Sequence, residues 1–401
     1  SPGAAMKRLL VCLLLVGVVG CGTSPSPEPP LAQDDRPKPP RAQNESPKPP
    51  PVDTDVEKAG TELNKGVDFA AREDWAAAVA DYTEAIRIDP DDADAYYNRG
   101  EAYFYLEEYD KSISDCTEAI RIKPDYAEAY DTRGLAYRLK GESDKAIADY
   151  TEAIRIKPDL ALAYNNRGVT YGDLGQCYKA IADCTEAIRI KPDYADAYNN
   201  RGNAYNKAGE YDKAIADYSE AIRIKPDFAD AYINRGNAYG KEGELDKAIV
   251  DYTEAIRIDP DDADAYYNRG EAYFYLEEYD KSISDCTEAI RIKPDYAEAY
   301  DTRGLAYRLK GESDKAIADY TEAIRIDPDD ALAYNNRGNA YNKAGQYDKA
   351  IADYTEAIRI KPDYAVGYSY RGRAHRELGN LVKAKADFAR AKELGYEPDD
   401  E

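Results

Sequence analysis

The sequence predicts an all-α solenoid built from ten stacked helical hairpins. Proline recurs every 34 residues from Pro90 to Pro362, and glycine recurs at the same interval from Gly66 to Gly372. The composition agrees, because 38 Tyr stand beside one Trp, one Met and one His in 401 residues. A short unit copied many times leaves such a bias. A hairpin of this size cannot bury its apolar faces alone, so its copies must stack.

The composition also excludes several classes of function. The chain has 54 basic and 78 acidic residues, a formal net charge of −24, whereas nucleic-acid phosphates require a basic surface. A single His removes most His-dependent acid–base and metal chemistry. The sequence contains no Gly-rich phosphate loop, nucleophile elbow or His-Glu metal motif. We therefore expect a protein that is not an enzyme and that uses no cofactor, metal or nucleic acid.

The amino-terminal segment is typical of an export signal. Basic residues follow Met6 and precede the apolar stretch 9–19, which at about 1.5 Å per residue is too short to cross a bilayer. The stretch ends in a sequence that resembles the lipobox of bacterial lipoproteins, which implies cleavage before Cys21 and lipidation of its thiol. A non-lipidated signal is the alternative. We interpret residues 1–20 as a signal peptide, with 1–5 as a cloning remnant or misplaced start.

Residues 21–58 are predicted to be the lipidated cysteine and a disordered tether. Eleven prolines lie between residues 22 and 55, and such a segment favours extended polyproline structure over a packed core. A spacer behind a lipid anchor explains it better than a proline-rich ligand does. The expected location is outside the cytoplasm, anchored by lipid to the bacterial cell membrane or outer membrane and facing the periplasm or the surface.

One repeat, residues 195–228, shows how the hairpin is encoded. Ala197, Tyr198, Ala204 and Tyr205 recur at helical spacing, and Gly209 can end the helix. A second apolar stripe runs from Tyr211 to Ile222 and stops before Pro226. The same 34-residue spacing gives ten units and leaves residues 399–401 as an acidic tail. The units are 59–92, 93–126, 127–160, 161–194, 195–228, 229–262, 263–296, 297–330, 331–364 and 365–398.

This period and residue order resemble the tetratricopeptide repeat (TPR) family over residues 59–398. The family signature is present as Tyr198, Arg201, Gly202 and Tyr205, although Arg replaces the usual Leu and Tyr the usual Trp. Its second half is matched by Ala214, Tyr218, Ala221 and Pro226. The resemblance implies a right-handed superhelical solenoid. It also implies that the first helices line a concave face that holds an extended peptide or a partner helix.

A row of asparagines on the first helices is the first candidate binding site. An amide side chain donates and accepts at once and can therefore grip a peptide backbone. The row resembles the asparagine array of the O-linked N-acetylglucosamine transferases, although no transferase domain follows. That these residues tie adjacent hairpins together is an equally good interpretation. The row comprises Asn64, Asn98, Asn166, Asn200, Asn234, Asn268 and Asn336.

A second candidate is an aromatic patch beside carboxylates, which would suit a Lys or Arg side chain of a partner. Additional core packing is the competing interpretation. The patch occurs twice, because residues 81–156 are identical to 251–326. Its members are Tyr97, Glu101, Phe104 and Tyr105, and then Tyr267, Glu271, Phe274 and Tyr275.

The remaining chemistry-bearing residues have simpler explanations. His375 takes the place of a packed tyrosine ring, and three cysteines take the place of Tyr218. We expect Cys177 and those three, Cys116, Cys184 and Cys286, to be buried thiols. Asp-Pro-Asp-Asp strings at 89–92, 259–262 and 327–330 lack the Gly and distal Glu of an EF-hand, so turns between repeats are favoured over calcium sites.

These observations predict a protein-interaction scaffold at the bacterial cell envelope that assists assembly of an envelope complex. The first repeat has a net charge of −6 and the last one +3, which favours a basic protein or peptide partner towards the amino-terminal repeats. A passive structural spacer without a tight ligand is the main alternative. A regulatory repeat module that acts with a separate enzyme is a more remote one.

Overall fold

The computed structural model describes residues 54–396, and in this part it confirms the predicted all-α solenoid. The predicted signal peptide, Cys21 and the acidic tail lie outside the described residues. Within this described part of the chain, twenty helices pair into ten hairpins. The first helices are α1 (Thr54–Ala70), α3 (Ala93–Tyr105), α5 (Ala127–Leu139), α7 (Ala161–Asp173), α9 (Ala195–Lys207), α11 (Ala229–Lys241), α13 (Ala263–Tyr275), α15 (Ala297–Leu309), α17 (Ala331–Lys343) and α19 (Ala365–Glu377). The second helices are α2 (Trp75–Ile88), α4 (Tyr109–Ile122), α6 (Ser143–Ile156), α8 (Cys177–Ile190), α10 (Tyr211–Ile224), α12 (Leu245–Ile258), α14 (Tyr279–Ile292), α16 (Ser313–Ile326), α18 (Tyr347–Ile360) and α20 (Leu381–Glu393).

The first helix begins earlier than the 34-residue spacing of the repeats predicts. Helix α1 starts at Thr54 rather than at Ala59, so the end of the predicted tether is helical. Its first turn contains Asp55 and Glu57, whose negative charges interact favourably with the amino-terminal end of the helix dipole. The proline-rich composition ends at Pro51, which leaves these residues able to extend the helix.

The glycine of each first helix allows the two helices of a hairpin to pack closely. A Cβ atom built on Gly202 would lie 2.6 Å from the ring of Tyr218 on the second helix. At Gly168 the same atom would lie 2.8 Å from Sγ of Cys184. Neither distance is compatible with a real side chain. The recurring glycine therefore makes room for the buried side chain opposite, as the close contact predicted from the sequence requires.

From α3 onwards, a buried ion pair holds each first helix to two second helices. In the fifth repeat, Arg201 donates from Nε and Nη2 to both carboxylate oxygens of Asp217, each at 2.7 Å. Its Nη1 donates to Oγ1 of Thr185 in the preceding repeat at 3.1 Å. Such a bidentate pair fixes the guanidinium geometrically as well as electrostatically. The bidentate arginines are Arg99, Arg133, Arg167, Arg201, Arg235, Arg269, Arg303, Arg337 and Arg371.

The turn inside each hairpin requires a left-handed residue. Gly209 has φ of +78°, as expected for a residue that ends a helix. Three hairpins place glutamate in this conformation, with φ between 59° and 63°. A side chain there costs about 1–2 kcal/mol relative to its right-handed conformation. The three residues are Glu73, Glu107 and Glu277.

The aspartate strings between repeats form helix caps. Oδ1 of Asp92 accepts from the backbone N–H groups of Asp94 at 2.9 Å and Ala95 at 3.1 Å. Asp262 and Asp330 make the equivalent bonds to α13 and α17. These bonds satisfy backbone donors that the first turn leaves unpaired. The strings therefore act as turns with capping side chains, as the sequence analysis favoured.

The last hairpin presents a polar outer face. Lys385 and Lys392 are exposed at the places that Ile351 and Ile358 hold in the preceding repeat. Terminal units of a stacked array must face water, so these lysines end the array. No helix within residues 54–396 combines the length and the apolar character needed to cross a membrane.

Candidate functional site

The first helices lie on the inner side of the curved array. First helices of successive repeats, such as α7 and α9, contact one another, whereas within residues 54–396 no two second helices of successive repeats do. Successive first helices are thus closer together than successive second helices, which places the first helices on the inner side of the curve. Any ligand that binds on the inner side therefore meets residues of α1, α3, α5 and the following first helices.

Four of the seven members of the predicted asparagine row tie adjacent repeats together. Nδ2 of Asn200 donates to Oδ1 of Asn165 at 3.0 Å, and Nδ2 of Asn234 donates to Oδ1 of Asn199 at 3.1 Å. Asn166 donates in the same way to Asp131, at 3.2 Å from both carboxylate oxygens. Asn336 repeats this arrangement with Asp301. These bonds support the interpretation that the row couples hairpins.

The other members of the row are placed differently. Asn64 is exposed, and Asn98 and Asn268 are half-buried. The places opposite Asn98 and Asn268 in the preceding repeats hold Leu63 and Ile233, which offer no side-chain acceptor. The inter-repeat ladder is therefore interrupted at these two positions. Participation of the row in peptide binding stays a prediction.

A second set of amides, one helical turn further along, is better placed to contact a ligand. The Tyr218 hydroxyl donates to Oδ1 of Asn203 at 2.8 Å, and Tyr252 bonds Asn237 in the same way. Oδ1 of Asn339 accepts in the same way from the hydroxyl of Tyr354 at 2.8 Å. Each Oδ1 atom is thus occupied, while the Nδ2 donors have no hydrogen-bond partner within residues 54–396 and remain accessible to solvent. Sequence reasoning missed this role, although tyrosine and asparagine recur 15 residues apart in these repeats.

The rings of the predicted aromatic patch are buried or half-buried, which supports the interpretation as additional core packing. Tyr97 and Phe104 are only 7% and 8% exposed. Phe104 packs in a cluster with Leu135, and Tyr105 stacks on Trp75 with ring centroids 4.2 Å apart. These rings are large apolar surfaces, so burying them against neighbouring repeats is favourable. Contact of these residues with a partner stays a prediction.

The second copy of the patch repeats this packing. Phe274 is 7% exposed, and Tyr267 and Tyr275 are half-buried. The Tyr267 hydroxyl donates to Oε1 of Glu271 at 3.3 Å, as Tyr97 does to Glu101. Burial raises the pKa of Glu271. The carboxylates therefore lie beside the packed rings on the inner side.

Two further carboxyl groups lie in the asparagine ladder. Asp131 is 4% exposed, and its carboxylate contacts the amide of Asn166 rather than a cation. Burial raises the pKa of Asp131 to about 7, against the smaller opposing effect of the Asn166 hydrogen bond. Asp301 contacts Asn336 in the same way, and burial raises its pKa also to about 7. Both groups can gain or lose a proton near neutral pH.

The structure corrects the prediction of burial for one of the four cysteines. Cys116, Cys184 and Cys286 are fully buried as expected, but Cys177 is half-exposed. It is the first residue of helix α8, beside the hairpin turn, whereas Cys184 lies in the middle of that helix. His375 is 8% exposed, and burial lowers its pKa. Within residues 54–396, no three His, Cys, Asp or Glu side chains are grouped as a metal site would require.

Comparison with known proteins identifies the repeat. A family model described as "TPR repeat" matches residues 66–106, 134–175, 202–243, 236–276 and 304–345. Two models described as "Tetratricopeptide repeat" match 93–126, 161–194, 263–296 and 331–364, and 184–216. No curated protein matches the chain significantly.

Several solved structures are similar to parts of the chain. A crystal structure of MamA is 31% identical and covers 41% of this chain and 96% of its own, with a TM-score of 0.39. YrrB, described as a TPR protein with an unusual peptide-binding site, is 26% identical over 46% of this chain and 95% of its own, with a TM-score of 0.41. The APC/C hetero-tetramer Cut9–Hcn1 is 15% identical over 86% and 82%, with a TM-score of 0.47. The family models together match more than half of the residues and recur at the 34-residue period of the hairpins, and the chain belongs to the tetratricopeptide repeat family.

Proposed function

We propose that this protein is a non-catalytic scaffold at the bacterial cell envelope that binds an extended segment of a partner protein on its first helices. Membership of a family of protein-interaction modules supports the general role. The observation that carries the proposal is the set of open amide donors on Asn203, Asn237 and Asn339, whose orientation the buried tyrosine hydroxyls fix.

The geometry of these donors suits a peptide backbone. Packed helices lie about 8–10 Å apart, and an extended chain advances about 3.3 Å per residue. The donors of Asn203 and Asn237, on the first helices of consecutive repeats, would then match backbone carbonyls about three residues apart. Recognition through carbonyl oxygens depends little on the partner's side chains. The scaffold would therefore accept a range of sequences and discriminate through other contacts.

Changing the three amides to carboxylates is expected to abolish partner capture. Asn203→Asp, Asn237→Asp and Asn339→Asp keep an oxygen for each tyrosine hydroxyl but replace the open N–H donors by an acceptor that repels carbonyl groups. The measurement is a crosslinking pull-down from envelope extract with the full chain, followed by binding of the captured partner in purified form. Circular dichroism must first show unchanged helicity.

A matched control separates this effect from added negative charge. Ala182→Asp, Ala216→Asp and Ala352→Asp add three carboxylates at exposed positions of second helices, and this variant is expected to retain capture. Equal loss in both variants would contradict recognition by the amides. Capture of no partner by the unaltered chain would favour the passive spacer.

The envelope location is a separate part of the proposal. Cys21→Ser removes the thiol that lipidation requires, so the variant is expected to leave the membrane fraction for the soluble fraction. Two or more acyl chains are needed for stable anchoring. Fractionation of cells that express each form measures this, and a Cys21→Ser variant that stays in the membrane fraction would show that the anchor is elsewhere.

A further inference from the structure

The first helices of the last three repeats end in a group of cations. The last five residues of α15, α17 and α19 together contain four cations and one carboxylate, Glu377, a local charge of +3. The whole chain, by contrast, has a formal net charge of −24. Two of the cations are exposed and two are half-buried. We call the four cations the basic cluster: Arg308, Lys343, Arg373 and Arg376.

The internal duplication shows which counter-charge the basic cluster lacks. Arg138 holds the place of Arg308 in the first copy, and its Nη1 lies 3.5 Å from a carboxylate oxygen of Asp173 on the next first helix. In the second copy Lys343 stands at the place of Asp173, and its Nζ donates to the backbone oxygen of Arg308 at 3.2 Å. Within residues 54–396, neither Arg308 nor Lys343 forms an ion pair with a carboxylate. Two adjacent cations thus replace a pair of opposite charges.

The burial of Arg308 is an independent indication of an anionic ligand. Arg308 is half-buried, and its Nε is a buried donor without a hydrogen-bond partner in the part of the chain that the structure describes. The group that its guanidinium approaches is the neutral hydroxyl of Tyr320. Withdrawing a cation from water without a counter-charge costs free energy. A carboxylate of a ligand would supply what Asp173 supplies to Arg138.

The basic cluster lies around one of the open amide donors. Oδ1 of Asn339 accepts from the Tyr354 hydroxyl at 2.8 Å, which leaves the Nδ2 donor for a ligand. Burial raises the pKa of Tyr354, and the positive charges of Arg308 and Arg373 oppose this rise. Both guanidinium groups are therefore near that hydroxyl, one on α15 and the other on α19. Asn339 on α17 lies between them.

We propose that the basic cluster binds acidic side chains of an extended partner segment whose backbone Asn339 holds. This inference rests on the proposed function and adds the chemistry of the partner. Helices that pack about 8–10 Å apart place α15 and α19 about 16–20 Å apart, which an extended chain spans in about five or six residues. Carboxylates at that separation reach Arg308 and Arg373 from one segment. The cluster thus reverses, in the last three repeats, the preference for a basic partner that the charge of the first repeat predicts.

The test uses a defined probe, an acetylated and amidated decapeptide of alternating Glu and Ala that carries one benzophenone. Calorimetry with the full chain at physiological salt is expected to give one peptide per chain, and photo-crosslinks are expected on α17 and α19. The same peptide with Gln in place of Glu is expected to bind at least about tenfold more weakly. General attraction cannot produce this result, because the peptide and the whole chain are both negatively charged.

Lys343→Asp tests the basic cluster with a substitution that the chain itself contains. The new carboxylate is expected to pair with Arg308 as Asp173 pairs with Arg138, to lower the affinity for the Glu peptide at least about tenfold and to remove the crosslinks. Lys361→Asp is the matched control, because it changes the charge equally at the far end of the hairpin, where the preceding repeat already has Asp327. It is expected to keep both the affinity and the crosslinks. Urea denaturation must first show that both variants fold.

A second variant tests the other half of the cluster. Arg373→Asn with Arg376→Asn reproduces Asn203 and Asn206 of the fifth repeat and is expected to weaken the Glu peptide while leaving the weak binding of the Gln peptide unchanged. Equal effects of Lys343→Asp and Lys361→Asp would overturn the proposal. Equally tight binding of a Gln peptide that ends in a free carboxylate would also overturn it, because the chain terminus would then be the ligand.

Failure of this inference can be told apart from failure of the proposed function. If the Glu peptide does not bind, but the unaltered chain captures an envelope partner that the Asn203, Asn237 and Asn339 variant loses, the proposed function stands and the acidic segment is wrong. Binding of the Glu peptide that depends on Lys343, together with capture of an envelope partner, supports both.

Discussion

Replacing Arg235 with Met is expected to lower the free energy of unfolding by about 3–5 kcal/mol. The guanidinium of Arg235 bonds both carboxylate oxygens of Asp251 at 2.8 Å and donates to Ser219 of the preceding repeat at 3.0 Å. The Asp251 side chain is only 4% exposed. Removal of the cation leaves this carboxylate buried without a counter-charge and also removes a bond between repeats. Urea denaturation of the full chain, followed by circular dichroism, measures the effect.

A second arginine in the same repeat is a matched control. Arg257 pairs with Glu254 at 2.7 Å, but its side chain is 65% exposed. Arg257→Met is therefore expected to change stability by less than about 1 kcal/mol. The double variant Arg235→Met with Asp251→Leu removes both buried charges and is expected to recover most of the loss. Equal effects of the two single variants would contradict a structural role for the buried pair.

The repeated architecture could be predicted because its signals are local and recur. Gly202 and Pro226 each mark one feature of the hairpin, and their 34-residue recurrence indicates stacking before any contact is known. The buried ion pairs were not predicted, although Arg201 and Asp217 also recur at fixed spacing. A charged residue on a helix is usually solvated, and only the packed structure shows that this arginine reaches a buried carboxylate on the second helix of its hairpin.

The candidate site was predictable only in part. The sequence locates the asparagine row, but whether Asn200 binds a ligand or a neighbouring repeat depends on the distance between first helices. The same limit applies to the burial of the aromatic residues, because packing against the next hairpin determines how far Phe104 is exposed. Cys177 was expected to be buried like Cys184, yet it is the first residue of its helix and is half-exposed.

Asp131→Asn is expected to stabilise the protein at pH 8 by about 2–4 kcal/mol and to change little at pH 4. Burial raises the pKa of Asp131 from an ordinary value of 3.8 to about 7. Between these values the unfolded chain has released its proton while the folded protein keeps it, so the stability of the unaltered protein falls as the pH rises. Above pH 7 the folded state contains a buried anion that only an amide contacts.

The chain itself supplies the precedent for this substitution. Asn165 and Asn199 hold the equivalent place in the next two repeats, and each accepts one hydrogen bond from the following asparagine. An asparagine at position 131 can accept from Asn166 in the same way without the cost of a buried charge. Asp144→Asn, at an exposed position of the same hairpin, is the control and is expected to shift stability by less than about 0.5 kcal/mol at either pH. Urea denaturation between pH 4 and pH 8 measures both variants, and an Asp131→Asn protein with the unaltered pH dependence would show that this carboxyl group does not titrate near neutrality.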